Sequence, residues 1–84
     1  MNATIEFNSA SDTYECVTEF GRYQQVHVSR DYGLFQRETA ESVICVICAR
    51  GEAREMTYGD EREIDGVTYV ATISGWKEVE QQGD

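Results

Sequence analysis

The sequence predicts an α+β domain, a small antiparallel β-sheet with one helix, at about residues 40–50, packed on it. Three observations carry this. Several short segments alternate polar and apolar residues at period two. Asp65-Gly66 sits between two such segments, a strong hairpin signal. The run "AESVICVICAR" places Ala40, Val43, Ile44, Ile47 and Cys48 at i, i+3, i+4, i+7 and i+8, one apolar stripe of a helix. An all-β sheet is the alternative, because the same run is β-branched and fully apolar, as a central strand can be.

Taken in order, Thr4 to Phe7 reads as a first strand, with Ile5 and Phe7 on one side. The cluster "NSASD" is rich in turn formers. Residues 13 to 20 form a second strand. Tyr14, Cys16, Thr18 and Phe20 share one face, and Glu15, Val17 and Glu19 form a wet acidic side. Gly21 and Arg22 make a tight turn. "YQQVHVS" completes the hairpin, with Val26 and Val28 inward and Gln25 and His27 outward. "LFQRE" is a short extended piece. Then comes the helix. Thr39 stands at its N-cap and Glu41 adds negative charge to the first turn. Arg50 closes the last turn and Gly51 takes the left-handed position beyond it. "EAREMTY" reads as a strand, "GDEREIDG" carries turn chemistry at both ends, and "VTYVATI" is the best strand in the chain. Ser74 and Gly75 turn the chain into a last short strand, "WKEVE".

Eighty-four residues make a single domain, 1–84, with a short frayed tail from about residue 80. The first ten residues lack the basic start and apolar core of a signal peptide, and no window is long and apolar enough to span a bilayer. The chain is therefore expected to be a complete cytoplasmic protein with reduced thiols, since three cysteines do not make a disulfide framework.

Charge is the outstanding property. Sixteen acids face seven bases, for a net charge of −9. That excludes direct nucleic-acid binding through a basic surface, and equally an anionic membrane. It favours a basic partner, or solubility alone. The acids concentrate between Glu52 and Asp65, where Glu52, Glu55, Asp60, Glu61, Glu63 and Asp65 meet only Arg54 and Arg62. In extended form Glu61, Glu63 and Asp65 point to one side at a spacing of roughly 6.7 Å, of the order of the spacing of successive phosphates along a DNA strand. Glu15 and Glu19, or Glu78 and Glu80, extend such a face. Tyr58, Tyr69 and Trp76 lie close in sequence, and aromatics beside charges suit an interface. The expected partner-binding residues are Glu52, Glu55, Tyr58, Asp60, Glu61, Glu63, Asp65 and Trp76.

No catalytic constellation stands out from this background, so the chain is expected not to be an enzyme and to need no cofactor. His27 is read as a solvated strand residue. Cys16, His27, Cys45 and Cys48 are the only sulfur and imidazole set for zinc. The Cys-x-x-Cys pair lacks the tight turn of a zinc knuckle and does not open a helix as a redox pair does. Burial as small hydrophobes is the simpler reading, and no metal site is expected.

A short, acidic, proline-free α+β chain with no catalytic motif and an odd cysteine count resembles the small inhibitor proteins of phages and mobile elements, the anti-CRISPR and DNA-mimic inhibitors. The resemblance spans the chain as size, charge and texture, with no motif. It implies a monomeric, non-enzymatic inhibitor acting in the host cytoplasm. Such a protein would block a basic nucleic-acid-binding defence complex, such as a CRISPR effector, by setting carboxylates where phosphates belong. A structural or accessory module of a phage or mobile element is the alternative.

Overall fold

Val43–Ala49 is a strand, and it is the centre of the molecule. The computed structural model describes residues 1–30 and 32–79, and contains nine strands and no helix among them. The protein is all-β, which corrects the α+β expectation and its helix at 40–50. The strands are β1 (Ala3–Asn8), β2 (Thr13–Thr18), β3 (Gly21–Val28), β4 (Gly33–Glu38), β5 (Val43–Ala49), β6 (Glu52–Glu55), β7 (Glu61–Ile64), β8 (Val67–Thr72) and β9 (Gly75–Glu78). The first six form an antiparallel meander in sequence order, and the last three a second small sheet. The tail expected from about residue 80 lies outside the described residues.

The reason for the correction is burial on both faces. Alternate residues of a strand point to opposite sides. Val46 and Cys48 enter one apolar cluster with Ala3, Cys16, Tyr23, Phe35 and Ala53, inside the curl of the large sheet. Cys45 enters a second cluster with Leu34, Met56, Ile64, Ala71 and Trp76, between the two sheets. A strand covered on both sides needs apolar residues at every position, so its sequence loses the period-two signature. Four of its seven residues are β-branched, which a pleated surface favours and a helix does not.

The residues that resemble helix caps are turn residues. The Thr39 hydroxyl accepts from the Ser42 amide at 3.1 Å and donates to the Ser42 carbonyl at 2.8 Å, closing the β4–β5 turn. Arg50 and Gly51 have φ of 54° and 78°, a two-residue hairpin turn of the kind that needs positive φ at both central positions. Asp65-Gly66 repeats it, at 50° and 81°, as the sequence predicts.

The large sheet curls until its edges meet. The Ala3 amide donates to the Gly51 carbonyl and the Ala53 amide to the Met1 carbonyl. Beyond Ala3 the edges part, and the β1–β2 hairpin leaves its inner face open. Ile5, Phe7 and Tyr14 are exposed there, Phe7 and Tyr14 edge to face at 5.2 Å. In β3 the pairing register shifts between Gln25 and His27. The extra residue of this bulge separates the two valines read as sharing a face. Val28 packs on the inner cluster and Val26 on the cluster between the sheets.

Trp76 locks the small sheet onto the large one. Its indole Nε1 donates to the Phe35 carbonyl at 3.0 Å, and its amide donates to Gln36 Oε1 at 2.9 Å. Burying a side chain such as Leu34 or Phe35 stabilises by about 1.5–3 kcal/mol each. Gly75 lets this junction close. It has φ 109°, and a Cβ there would lie 2.5 Å from Gln36 Oε1, which is already bound to Trp76. Gly66 has positive φ but open space around it. Gly75→Ala is therefore expected to cost about 2–3 kcal/mol and Gly66→Ala about 1 kcal/mol, measured by urea unfolding. Equal losses at the two positions would contradict the tight junction at Gly75.

Candidate functional site

Strand parity distributes the acidic segment over several surfaces. Glu52 and Arg54 pair with Ala49 and Ile47, on the outer face of the large sheet. Glu55 pairs with Val46 and so lies on the other face, at the rim of the curl. Burial pushes the nearby Tyr23 hydroxyl up, and the Glu55 charge adds to that shift. Tyr58 is exposed, with its hydroxyl donating to the Val43 carbonyl at 3.0 Å. Glu55 and Tyr58 together line an open groove of about 390 Å³ over Ile44 and Met56.

Asp60 is committed to local structure, its carboxylate accepting from the Thr57 amide at 3.1 Å. In β7, Ile64 points into the core between the sheets. Arg62 shares that side, and Glu61 and Glu63 share the outer face. Register places Val70 and then Lys77 beside Glu61, and Thr68 beside Glu63. Asp65 does not extend this row as a free carboxylate. Its Oδ2 lies 3.0 Å from His27 Nε2, and His27 Nδ1 lies 3.0 Å from the Tyr69 hydroxyl. A carboxylate only accepts, so Nε2 carries a proton in this contact. His27 is thus a tie between the sheets and not the solvated residue its alternation suggests. Trp76 is 5% exposed and belongs to the core. Among the expected contact residues the structure brings together Glu61 with Glu63, and Glu55 with Tyr58, and separates the others.

The acids proposed to extend the face are also dispersed. Glu19 is exposed in the β2–β3 turn. Glu78 is exposed but shares its side of the small sheet with Tyr69 and Arg62. Glu80 lies outside the described residues. Glu15 is not on a wet face; it is buried, 3.1 Å from Arg22 and 3.2 Å from Gln24. The Gln24 amide holds its carboxyl below the usual carboxylate range, with help from Arg22, against the opposing effect of desolvation.

Cys45 and Cys48 cannot converge on one ion or form a redox pair. Three residues apart on a strand, they point to opposite faces and enter different clusters. Cys16 and Cys48 meet inside the curl, where burial pushes the Cys16 thiol up to about 12 and the contact with Cys48 adds to the rise. No group of three or more metal-ligating side chains forms among the described residues.

Two surfaces escaped the sequence reading. One is the open face of the β1–β2 hairpin. The other is a wedge between the sheets that gathers Arg50, Arg54 and Arg62. Its only sequence signal was that these three bases punctuate residues 50–62, where the acids drew attention.

Glu15 gives the fold a pH signature. Its lowered native pKa means that it stabilises the fold above its ordinary value of 4.5 and loses that contribution as the pH falls through the native value. In Glu15→Gln, the acid side of the stability profile is expected to flatten below about pH 4.5. An unchanged acid limb would contradict the pairing of Glu15 with Gln24 and Arg22.

Comparison of the chain with protein-family models, with curated proteins and with solved structures returns no match in any of the three.

Proposed function

We propose that this protein is a non-enzymatic inhibitory binding protein whose acidic surface occupies a basic nucleic-acid-binding partner, such as a CRISPR effector. The observation that carries the reading is the outer face of β7. Glu61 and Glu63 stand there on one rigid strand, exposed, within a chain of net charge −9. Two carboxylates at strand spacing are a short phosphate-like element. Across the small sheet, that face continues with Thr68 and Val70 and reaches Lys77 only on β9. The reading is therefore of a mixed interface, in which two charges fix position and neighbouring polar and apolar groups add contact. It does not require a continuous carboxylate row, which the pairing of Asp65 with His27 would interrupt. As a partner-binding protein it acts as a monomer in the cytoplasm of the cell that holds the target.

A second reading, an accessory or structural module, is favoured by the open hairpin. The Ala3 amide points to the β6 side, so by alternation the Ile5 and Phe7 backbones face that same edge, where β6 no longer reaches. An edge strand with exposed Ile5, Phe7 and Tyr14 is suited to pairing with another chain.

A pull-down from host lysate separates the two. The wild-type protein is expected to retain a basic complex at low salt that high salt or added DNA releases. Glu61→Lys with Glu63→Lys, both exposed, is expected to weaken that capture at least about tenfold while leaving the fold intact. Full capture by the reversed protein would overturn the assignment to β7. Recovery of this chain alone, with a dimer or larger in light scattering, would move the function to the hairpin edge.

A further inference from the structure

The wedge on the β6–β7 side, between the outer face of the large sheet and the small sheet, carries chemistry opposite to the rest of the surface. Its floor is Ile47 and Ala49 of β5, and its volume is about 440 Å³, with an adjoining lobe of about 290 Å³ reaching Glu52 and Arg54. Arginine stands on both walls. Arg50 occupies the β5–β6 turn and Arg54 the outer face of β6. Arg62 faces them from β7, on the side of that strand that looks toward the large sheet. Tyr32 closes the space and donates its hydroxyl to the Glu63 carbonyl, which ties the ring to β7.

Three of the chain's seven bases thus converge on one concavity in a protein with sixteen acids. Pairing them with carboxylates would be easy in such a chain, as Arg22 is paired with Glu15. Yet none of the three makes an ion pair among the described residues. Among the described residues the Arg62 guanidinium hydrogen-bonds the carbonyl of Glu61, at 2.6 Å, and no carboxylate. Glu52 borders the adjoining lobe without closing on Arg50 or Arg54. Like charges held on facing walls repel one another, and an anion between them removes the repulsion. Guanidinium groups match the planar, two-oxygen edge of a phosphate or carboxylate.

We infer that the wedge is a binding site for a small organic phosphate carrying a flat ring, a nucleoside monophosphate in class. The arginines would take the phosphate, and the ring would lie on Ile47 and Ala49 beside Tyr32. The volume is in the range of small-molecule sites. The net charge of −9 selects against a long polyanion and admits a small one, whose few charges stay inside the basic wedge. The inference is independent of the acidic-surface reading, since it uses neither the carboxylates of Glu61 and Glu63 nor the partner.

The test is titration of the full chain with adenosine 5′-monophosphate, followed by amide chemical shifts. Adenosine and inorganic phosphate serve as the two half-ligand controls. A dissociation constant between about 10 μM and 1 mM is expected, with shifts centred on Ile47, Ala49, Arg50 and Arg62. Each half-ligand is expected to bind at least about tenfold more weakly. Arg54→Ala, at an exposed strand position, is expected to weaken binding roughly tenfold. Arg50→Asn removes a second charge with a residue that tolerates positive φ, and is expected to act likewise with the amide spectrum otherwise unchanged. No binding up to 10 times that upper limit, shifts centred elsewhere, or inorganic phosphate binding as tightly as the nucleotide would each overturn the proposal. So would full affinity in both variants.

Discussion

Everything else in the molecule hangs on the β4–β5 ladder. Each of its two strands sends its opposite faces into two cores. Phe35 and Val46, paired in register, fill the curl of the large sheet. Leu34 and Cys45 face the other way, under the small sheet. A chain of this length has little apolar area to spare. It obtains two cores by letting one ladder serve both. The cost appears in sequence as a stretch with no polar side, and in chemistry as two thiols, Cys45 and Cys48, placed where water does not reach. The small sheet has only three strands and a single buried face, so it depends on this ladder for its cover. Trp76, His27 and Gln36 are the polar fastenings that fix its position.

Several strands and turns outside the β4–β5 ladder were legible. Thr4–Phe7, residues 13–20, "VTYVATI" and the Asp65-Gly66 turn all fall within a few residues of β1, β2, β8 and the β7–β8 hairpin. Their polar–apolar alternation marks them as strands, although β2 buries Glu15 as well as Cys16 and β1 exposes Ile5 and Phe7. The helix at 40–50 was wrong for two physical reasons. An apolar run matches helical spacing by default, since any position chosen is apolar. Thr39 and Gly51, the intended caps, are residues that close turns as readily as helices, because a hydroxyl that accepts a free amide and a glycine that takes positive φ serve both. The β-branched content was the discriminating signal. The bulge in β3 was not legible, since one inserted residue leaves no compositional mark.

How the acids group on the surface was only partly legible, for a related reason. Composition locates acids along the chain, but parity decides which of them share a face. Glu61 and Glu63 are two apart and stay together; Glu52 and Glu55 are three apart and cannot. Trp76 is an anchor of the inside, because its strand begins at the sheet junction, where an aromatic side chain is worth most when buried. The same folding that scatters the acids collects three arginines from β6, β7 and the turn between β5 and β6. The surface that results is an acidic protein with one basic wedge, which sequence order alone does not reveal.

Residues 43–49 form a strand covered on both faces. The most direct measurement is the pattern of nuclear Overhauser contacts for Val43–Ala49 in the labelled protein. Cross-strand backbone contacts between Phe35 and Val46 are expected, with Cys48 near Cys16 and Cys45 near Thr72. Sequential helical contacts between residues three apart across 40–50, with Cys45 and Cys48 on one side, would contradict it.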